Sequence, residues 1–248
     1  LDHYGIDARF VRRAGGEARN SLAVVDTNGD ATQAVIYRNG AADFEMDARD
    51  VASLPYAEFS GLITTGTVLA SDPSRSATFL AFEAAKAAGL PLIFDVDYRP
   101  YSWASSEEAS RVYTRAAELC DAIIGNDVEF GFMAGDYDQG LARARALARG
   151  GKLVVYKMGG DGAIVAQGET EQRYGVYPTQ AIKPTGAGDS FMAGFVSSLA
   201  QGRDFGEAIS RGAASAAMVV ARVGCAPAMP VTAELDTYMA THGLLQEI

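Results

Sequence analysis

Apolar and polar positions along the chain keep two different rhythms. Ser21 to Asp26 and Thr32 to Tyr37 alternate loosely with period two, and Thr27-Asn28-Gly29-Asp30 lies between them. Successive side chains of a strand point to opposite faces, so this alternation predicts half-buried strands. An Asn-Gly pair between two such runs predicts a hairpin. Beyond residue 60, short apolar runs alternate with helical patterns instead. Gly61 to Thr65, Pro91 to Val96, Ala122 to Gly125, Leu153 to Lys157 and Ala163 to Ala166 predict strands. Ser74 to Ala88 predicts a helix with Phe79, Leu80 and Phe82 on its apolar side, ended by Gly89. Ser105 and Glu108 form an S-x-x-E capping box that opens a helix to about Leu119. Gly188 to Ala200 and Phe205 to Arg222 read as two long helices.

Strands separated by helices predict βαβ units, and hence an α/β fold with a mainly parallel central sheet. The hairpin does not share that rhythm and reads as a small β flap beside the main body. The expected division is a lid-region segment over residues 1–45 and an α/β core over residues 46–248.

Composition adds exclusions. Of 248 residues, 48% are hydrophobic and 21% charged, the balance of an ordinary globular chain. The formal net charge of −10 argues against a nucleic-acid partner, since phosphate backbones select basic surfaces. No apolar run reaches the roughly 18–20 residues of a membrane span; the longest candidate, Ala213 to Ala221, is short and alanine-rich. Two cysteines, Cys120 and Cys225, exclude a disulfide framework and point to a reducing, cytoplasmic setting. Both are expected as small buried hydrophobes. The two histidines, His3 and His242, lie near the ends, where neither a histidine-rich metal site nor a supported catalytic triad is expected.

The chemistry concentrates in Lys183 to Phe195, KPTGAGDSFMAGF. Gly186, Ala187 and Gly188 form a nearly side-chain-free turn leading into a helix with Phe191, Phe195 and Leu199 along its apolar face. The first amides of a helix lack internal partners and carry partial positive charge, and glycines let an anion approach them. A carboxylate beside a bound anion is a poor ligand, so Asp189 makes sense as the acceptor of a proton from an attacking hydroxyl. The alternative is a plain loop, with Asp189 stabilising a helix N-terminus.

Other segments carry weaker signals. Asn126 and Glu129, in NDVE, lie three apart and share a side of one helical turn, the spacing of a helix cap. Tyr156 to Gly162, YKMGGDG, is a strand end followed by a glycine turn; it is not a Walker A loop. Lys157 there is placed to offset phosphate charge or is simply solvated. Asp95 and Asp97, in FDVDYRP, share a face in extended chain and are followed by Arg99. They fall beyond a strand's carboxyl end, where open α/β sheets bind ligands, or they form a surface ion pair.

TGAGDSFMAGF resembles the C-terminal signature of ribokinase/PfkB-type carbohydrate kinases. The resemblance implies a ribokinase-like three-layer α/β fold with a small β lid, and transfer of a phosphoryl group from ATP to a sugar hydroxyl. It makes Asp189 the catalytic base, with the Gly186, Ala187 and Gly188 turn as the anion hole. Asn126 and Glu129 are similar to the family's N-x-x-E motif, which implies a role in the Mg²⁺ and phosphate network, Glu129 acting through water. Lys157, Gly159 and Gly162 resemble the nucleotide-side turn. A monovalent cation is a further candidate; many relatives carry an Asp at the position of Lys183 that helps arrange a cation-binding loop, and Lys183 departs from that pattern.

DVDYRPYSW, YRNGAAD, KPTGAGD and VGCAPAMP are together similar to one branch of the family, the kinases of a keto sugar acid in inositol catabolism, and Lys183 agrees with that branch. The implied substrate carries a carboxylate, for which Arg38 and Arg99 are the expected contacts, with Asp97 a further expected substrate-binding residue. Kinases of 2-dehydro-3-deoxygluconate, ribose or fructose are the neighbouring alternatives. A nucleotide-binding fragment without turnover is the alternative of another class. The resemblance also implies pairing of flaps in a homodimer. Relatives carry a Gly-Gly-x-x-x-Asn sugar motif; Gly15, Gly16 and Asn20 have the letters but follow YGIDARFV, which in relatives comes after that motif. The N-terminal part of the family fold is therefore expected to be absent from this stretch.

Overall fold

The structure, a computed structural model, describes residues 1–28 and 31–244. The chain forms two compact units. One comprises Leu1–Val24 and Ala34–Arg143; the other comprises Val25–Gln33 and Ala144–Ile248.

The predicted hairpin strands are β1 (Leu22–Asn28) and β2 (Ala31–Tyr37), which form a two-stranded sheet. Gly29 and Asp30 of the predicted turn lie outside the described residues. At the root of β2, Arg19 pairs with Ala41 in an isolated parallel bridge.

The first unit continues with a short helix α1 (Ala48–Ala52) and then a βαβαβ run: β3 (Leu62–Thr65), α2 (Ser74–Ala87), β4 (Leu92–Asp95), α3 (Ser106–Leu119) and β5 (Ala122–Asn126). The strands pair in parallel and in chain order, with Leu62 opposite Leu92 and Ile93 opposite Ala122. Leu92, Phe94, Ile123 and Ile124 are wholly buried, as strands covered on both faces require. Phe82 is buried from α2 as predicted, and each such side chain contributes about 1.5–3 kcal/mol. Leu80 corrects the expectation: it is exposed, because it lies about 200° around the helix from the buried Thr78. Ser105 caps α3 by accepting the Glu108 amide at 3.1 Å, so the half of the capping box made by the serine is present. Helix α4 (Asp127–Ala134) follows β5 directly. Helix α5 (Gly140–Arg149) leads out of this unit.

The second unit holds β6 (Leu153–Lys157), β7 (Ala163–Gln167) and β8 (Thr170–Tyr174), followed by α6 (Ala187–Ala200), α7 (Phe205–Val220) and α8 (Thr232–Thr241). These strands pair antiparallel, Val155 opposite Val165 and Val165 opposite Gln172. Strand β8 and helix α8 have no counterpart in the sequence pattern. Strand β8 is mostly exposed and polar, so it lacks the apolar signal, and α8 buries only Leu235. Helices α6 and α7 approach closely at two glycines. A Cβ on Gly194 would stand 2.8 Å from the Arg211 carbonyl oxygen, and one on Gly212 would stand 3.0 Å from that of Phe191. Buried Ser190 and Ser215 bridge the same helices, Oγ to Oγ, at 2.5 Å. Cys120 is buried as expected; Cys225 is exposed, because it sits in the irregular segment after α7 rather than on a packed face.

Candidate active site

In the second unit the KPTGAGD segment forms a tight turn at the N-terminus of α6. Gly186 is the N-cap residue, with φ 87° and ψ −4°, a left-handed conformation that glycine adopts without strain. It is walled by the end of α7 and the segment after it: a Cβ there would lie 3.4 Å from Val219 Cγ1, 3.5 Å from Met229 Cε and 3.8 Å from Cys225 Cβ. VGCAPAMP, legible only as a resemblance in the sequence, thus helps form the back of the turn. The Ala187 amide donates to the Pro184 carbonyl at 3.2 Å, and the Ser190 amide to that of Gly186 at 3.0 Å. Between them, Gly188 and Asp189 occupy the second and third helical positions, whose amides have no acceptor within the helix, and Gly186 provides no side-chain cap. The Gly188 and Asp189 amides are therefore the N–H groups of this turn left without a backbone acceptor. Asp189 is exposed, in the first turn of α6.

Lys157 reaches this turn from the end of β6. Its ammonium lies 3.7 Å from where a Cβ on Gly188 would project, and 5.8 Å from the centre of the Phe191 ring. The turn that follows Lys157 is closed by the Met158 amide donating to the Gly162 carbonyl at 2.8 Å. Gly162 has φ 85° and ψ −142°, and a Cβ there would fall 2.0 Å from the Tyr174 carbonyl oxygen. Gly159, at φ 60°, faces open space. Lys183 bends back on the loop: its ammonium donates to the Thr185 carbonyl at 2.5 Å.

In the first unit the N-x-x-E segment is a complete capping box. Asn126 Oδ1 accepts the Glu129 amide at 2.9 Å, and Glu129 Oε2 accepts the Asn126 amide at 2.7 Å. Glu129 Oε1 also accepts the Tyr98 amide at 3.2 Å. Both oxygens of this buried carboxylate thus receive backbone N–H groups, a link to the next loop that sequence spacing does not reveal. Such a carboxylate fits a metal through water better than as a direct ligand. Among the described residues no group of three or more His, Cys, Asp or Glu is placed to hold a metal ion.

The FDVDYRP loop leaves β4 with Asp97 at φ 37°, the only non-glycine residue with positive φ among those described. Asp97 Oδ1 and Arg99 Nη2 pair at 2.6 Å, both partly exposed. Asp95 is buried and stands apart from this pair. Arg38 is differently placed. Its side chain is 9% exposed, pairs with Asp43, donates to the Thr67 carbonyl at 2.9 Å and stacks over Phe44 at 4.0 Å. These partners hold it at the root of the flap, and neither Asp97 nor Arg99 is among them.

A family model described as pfkB family carbohydrate kinase matches residues 1–232. The chain belongs to the pfkB family of carbohydrate kinases. Among curated proteins, this pfkB-family chain is 38% identical over 213 residues to 5-dehydro-2-deoxygluconokinase 1 of Bacillus cereus, covering 84% of this chain and 64% of that protein. The same figures hold for 5-dehydro-2-deoxygluconokinase of Bacillus thuringiensis. The chain thus spans 64% of the length of these curated relatives. Among solved structures it is similar to fructokinase from Vibrio cholerae in a form with fructose, ADP and calcium ion bound, at a TM-score of 0.84 and 25% identity, covering 96% of this chain and 79% of that one. The fold is accordingly the ribokinase-like α/β fold expected of the family. Among the described residues no helix is long and apolar enough to cross a membrane.

Proposed function

We propose that this chain carries the site of an ATP-dependent kinase acting on the primary hydroxyl of a keto sugar acid, converting 5-dehydro-2-deoxy-D-gluconate to its 6-phosphate. The observation that carries the reading is the anion turn: two unpartnered amides at a helix N-terminus, a lysine beside them and an exposed carboxylate in the same turn. The 38% identity to kinases of that substrate supports the choice of sugar.

In this reading the second unit supplies the phosphate and proton chemistry. The Gly188 and Asp189 amides and the Lys157 ammonium receive charge that accumulates on the transferring phosphoryl oxygens. Asp189 accepts the proton of the sugar hydroxyl as that oxygen attacks the γ-phosphorus and the bond to ADP breaks. A carboxylate is a weak base, which suits phosphoryl transfer because that chemistry depends mainly on positioning and charge stabilisation. Gly159 and Gly162 shape the nucleotide-side turn. Magnesium, when bound with the nucleotide, neutralises phosphate charge; Asn126 and Glu129 are the residues that would hold its water shell. Arg99, the more exposed arginine, faces the substrate carboxylate first, Asp97 orients it, and Arg38 fixes the flap root. The Lys183 ammonium on the Thr185 carbonyl takes over the duty of a monovalent cation in this loop.

The exposed Leu22, Val24, Val35 and Tyr37 support a flap that pairs with a second copy. A reducing cytoplasm suits the two free thiols.

An ATP-consumption assay over a panel of sugars tests the reading. The expected result is turnover of 5-dehydro-2-deoxygluconate well above 2-dehydro-3-deoxygluconate, ribose and fructose. MgATP binding by calorimetry with no turnover of any sugar would instead identify a nucleotide-binding fragment.

A further inference from the structure

The N-x-x-E glutamate has a second partner in the loop that follows β4. Glu129 Oε1 accepts the Tyr98 amide, and one turn along the same helix the Phe132 ring stacks on the Tyr98 ring, centroids 3.7 Å apart and planes at 12°. Residues three apart share a helix face. Helix α4 therefore grips Tyr98 twice, by its backbone and by its ring. Gly125 keeps the space for that grip: a Cβ there would stand 3.3 Å from Glu129 Oε2 and 3.0 Å from Val96 Cγ2.

Tyr98 lies between Asp97 and Arg99. Asp97 holds φ 37°, a conformation that a non-glycine residue keeps only where its surroundings over-determine it. The Asp97–Arg99 ion pair is presented by this corner. A partly exposed pair is too weak to impose the backbone conformation by itself, whereas a charge-assisted hydrogen bond from the Tyr98 amide into a buried carboxylate, joined by the Phe132 stack, is strong enough. We infer that Glu129, with Phe132, is a positioning residue that clamps Tyr98, holds Asp97 in its strained conformation and so sets the affinity for the sugar. The kinetic part rests on the function proposed above; the structural part does not.

The test uses Glu129→Gln and Phe132→Leu in the full chain. Glutamine keeps the size and turns an NH₂ toward one of the two amides, so one hydrogen bond is lost; leucine keeps bulk without the stack and serves if the glutamine variant folds poorly. Hydrogen exchange followed by mass spectrometry is expected to speed up about tenfold or more in peptides spanning residues 96–100, with β6 and α6 unchanged. In steady-state kinetics of Phe132→Leu, which leaves Asn126 and Glu129 in place, the KM for the sugar acid rises about tenfold, while that for MgATP stays within about twofold. Unchanged exchange at 96–100 in both folded variants overturns the clamp. So does a rise in Phe132→Leu confined to the KM for MgATP. Absence of turnover by the unsubstituted chain would sink the kinase reading and leave the exchange result to decide the clamp alone.

Discussion

The Lys157 ammonium stands 3.7 Å from the point where a Cβ on Gly188 would project, so one strand end and one helix start share a single small volume. In a chain of net charge −10 an anionic nucleotide is held by local groups, not by the global field. Lys157→Met is expected to raise the KM for MgATP about tenfold or more, the scale of a lost hydrogen bond to a charged group, with the sugar KM nearly unchanged. A KM for MgATP equal to that of the parent would show that Lys157 is only solvated.

Replacing Asp189, the proposed base, tests chemistry apart from binding. It is exposed in the first turn of α6, so replacing it disturbs little packing. Asp189→Asn should lower kcat by roughly 10²–10⁴, the usual weight of a general base, with stability changed by no more than about 0.5 kcal/mol. Near-full kcat in that variant would remove Asp189 from its role.

Much of this site is legible in the sequence because it is local. The Gly-Ala-Gly turn, its helix and Asp189 are consecutive, and the Asn126–Glu129 box closes within four residues. What is not legible depends on distant partners. Nothing near Tyr98 announces that its amide meets Glu129, and nothing near Gly186 announces Cys225 and Met229. The charge of Arg38 suggests a substrate contact, while its bonds to Asp43 and Thr67 at the flap root are visible only in the fold. In the fold, buried strands such as β5 and β6 are plain in the apolar pattern, whereas β8 is polar and exposed and leaves no such trace.

Lys183 carries its own cation into the loop before the anion turn. Its ammonium already serves the Thr185 carbonyl, so the rate should be the same in potassium, sodium or tetramethylammonium chloride at equal ionic strength. Lys183→Asp replaces the ammonium with a carboxylate and should make kcat potassium-dependent. A parent enzyme activated severalfold by potassium would refute this use of Lys183.

The flap root should be acid-sensitive through Asp43. Burial acts to raise the pKa of this carboxyl, but the hydrogen bonds from Arg38 and Ser21 and the Arg38 charge outweigh it, and the net shift is downward. A depressed folded-state pKa contributes stability that is present above the unfolded value of about 3.9 and is lost as pH falls through the folded one. The parent is therefore expected to be more stable than Asp43→Asn at pH 5, with the gap narrowing toward pH 2.5. Urea unfolding of both proteins across that range checks it; a gap that widens on acidification contradicts the assignment.

Two glycines of the nucleotide-side turn should respond differently to the same substitution. Gly159 has φ 60° and open space where a Cβ would go, so Gly159→Ala meets only backbone strain, about 1 kcal/mol. Gly162 has φ 85°, and its Cβ would land 2.0 Å from the Tyr174 carbonyl oxygen, a backbone atom that moves only with β8. Gly162→Ala adds this clash to the strain and should destabilise by about 2–4 kcal/mol. At about 2–4 °C per kcal/mol for a chain of this size, its Tm should fall clearly below that of Gly159→Ala. The clash also pushes on the turn that follows Lys157, so the KM for MgATP should rise in Gly162→Ala more than in Gly159→Ala. Equal Tm values for the two variants would mean that β8 yields freely and that the Gly162 turn does not brace the lysine.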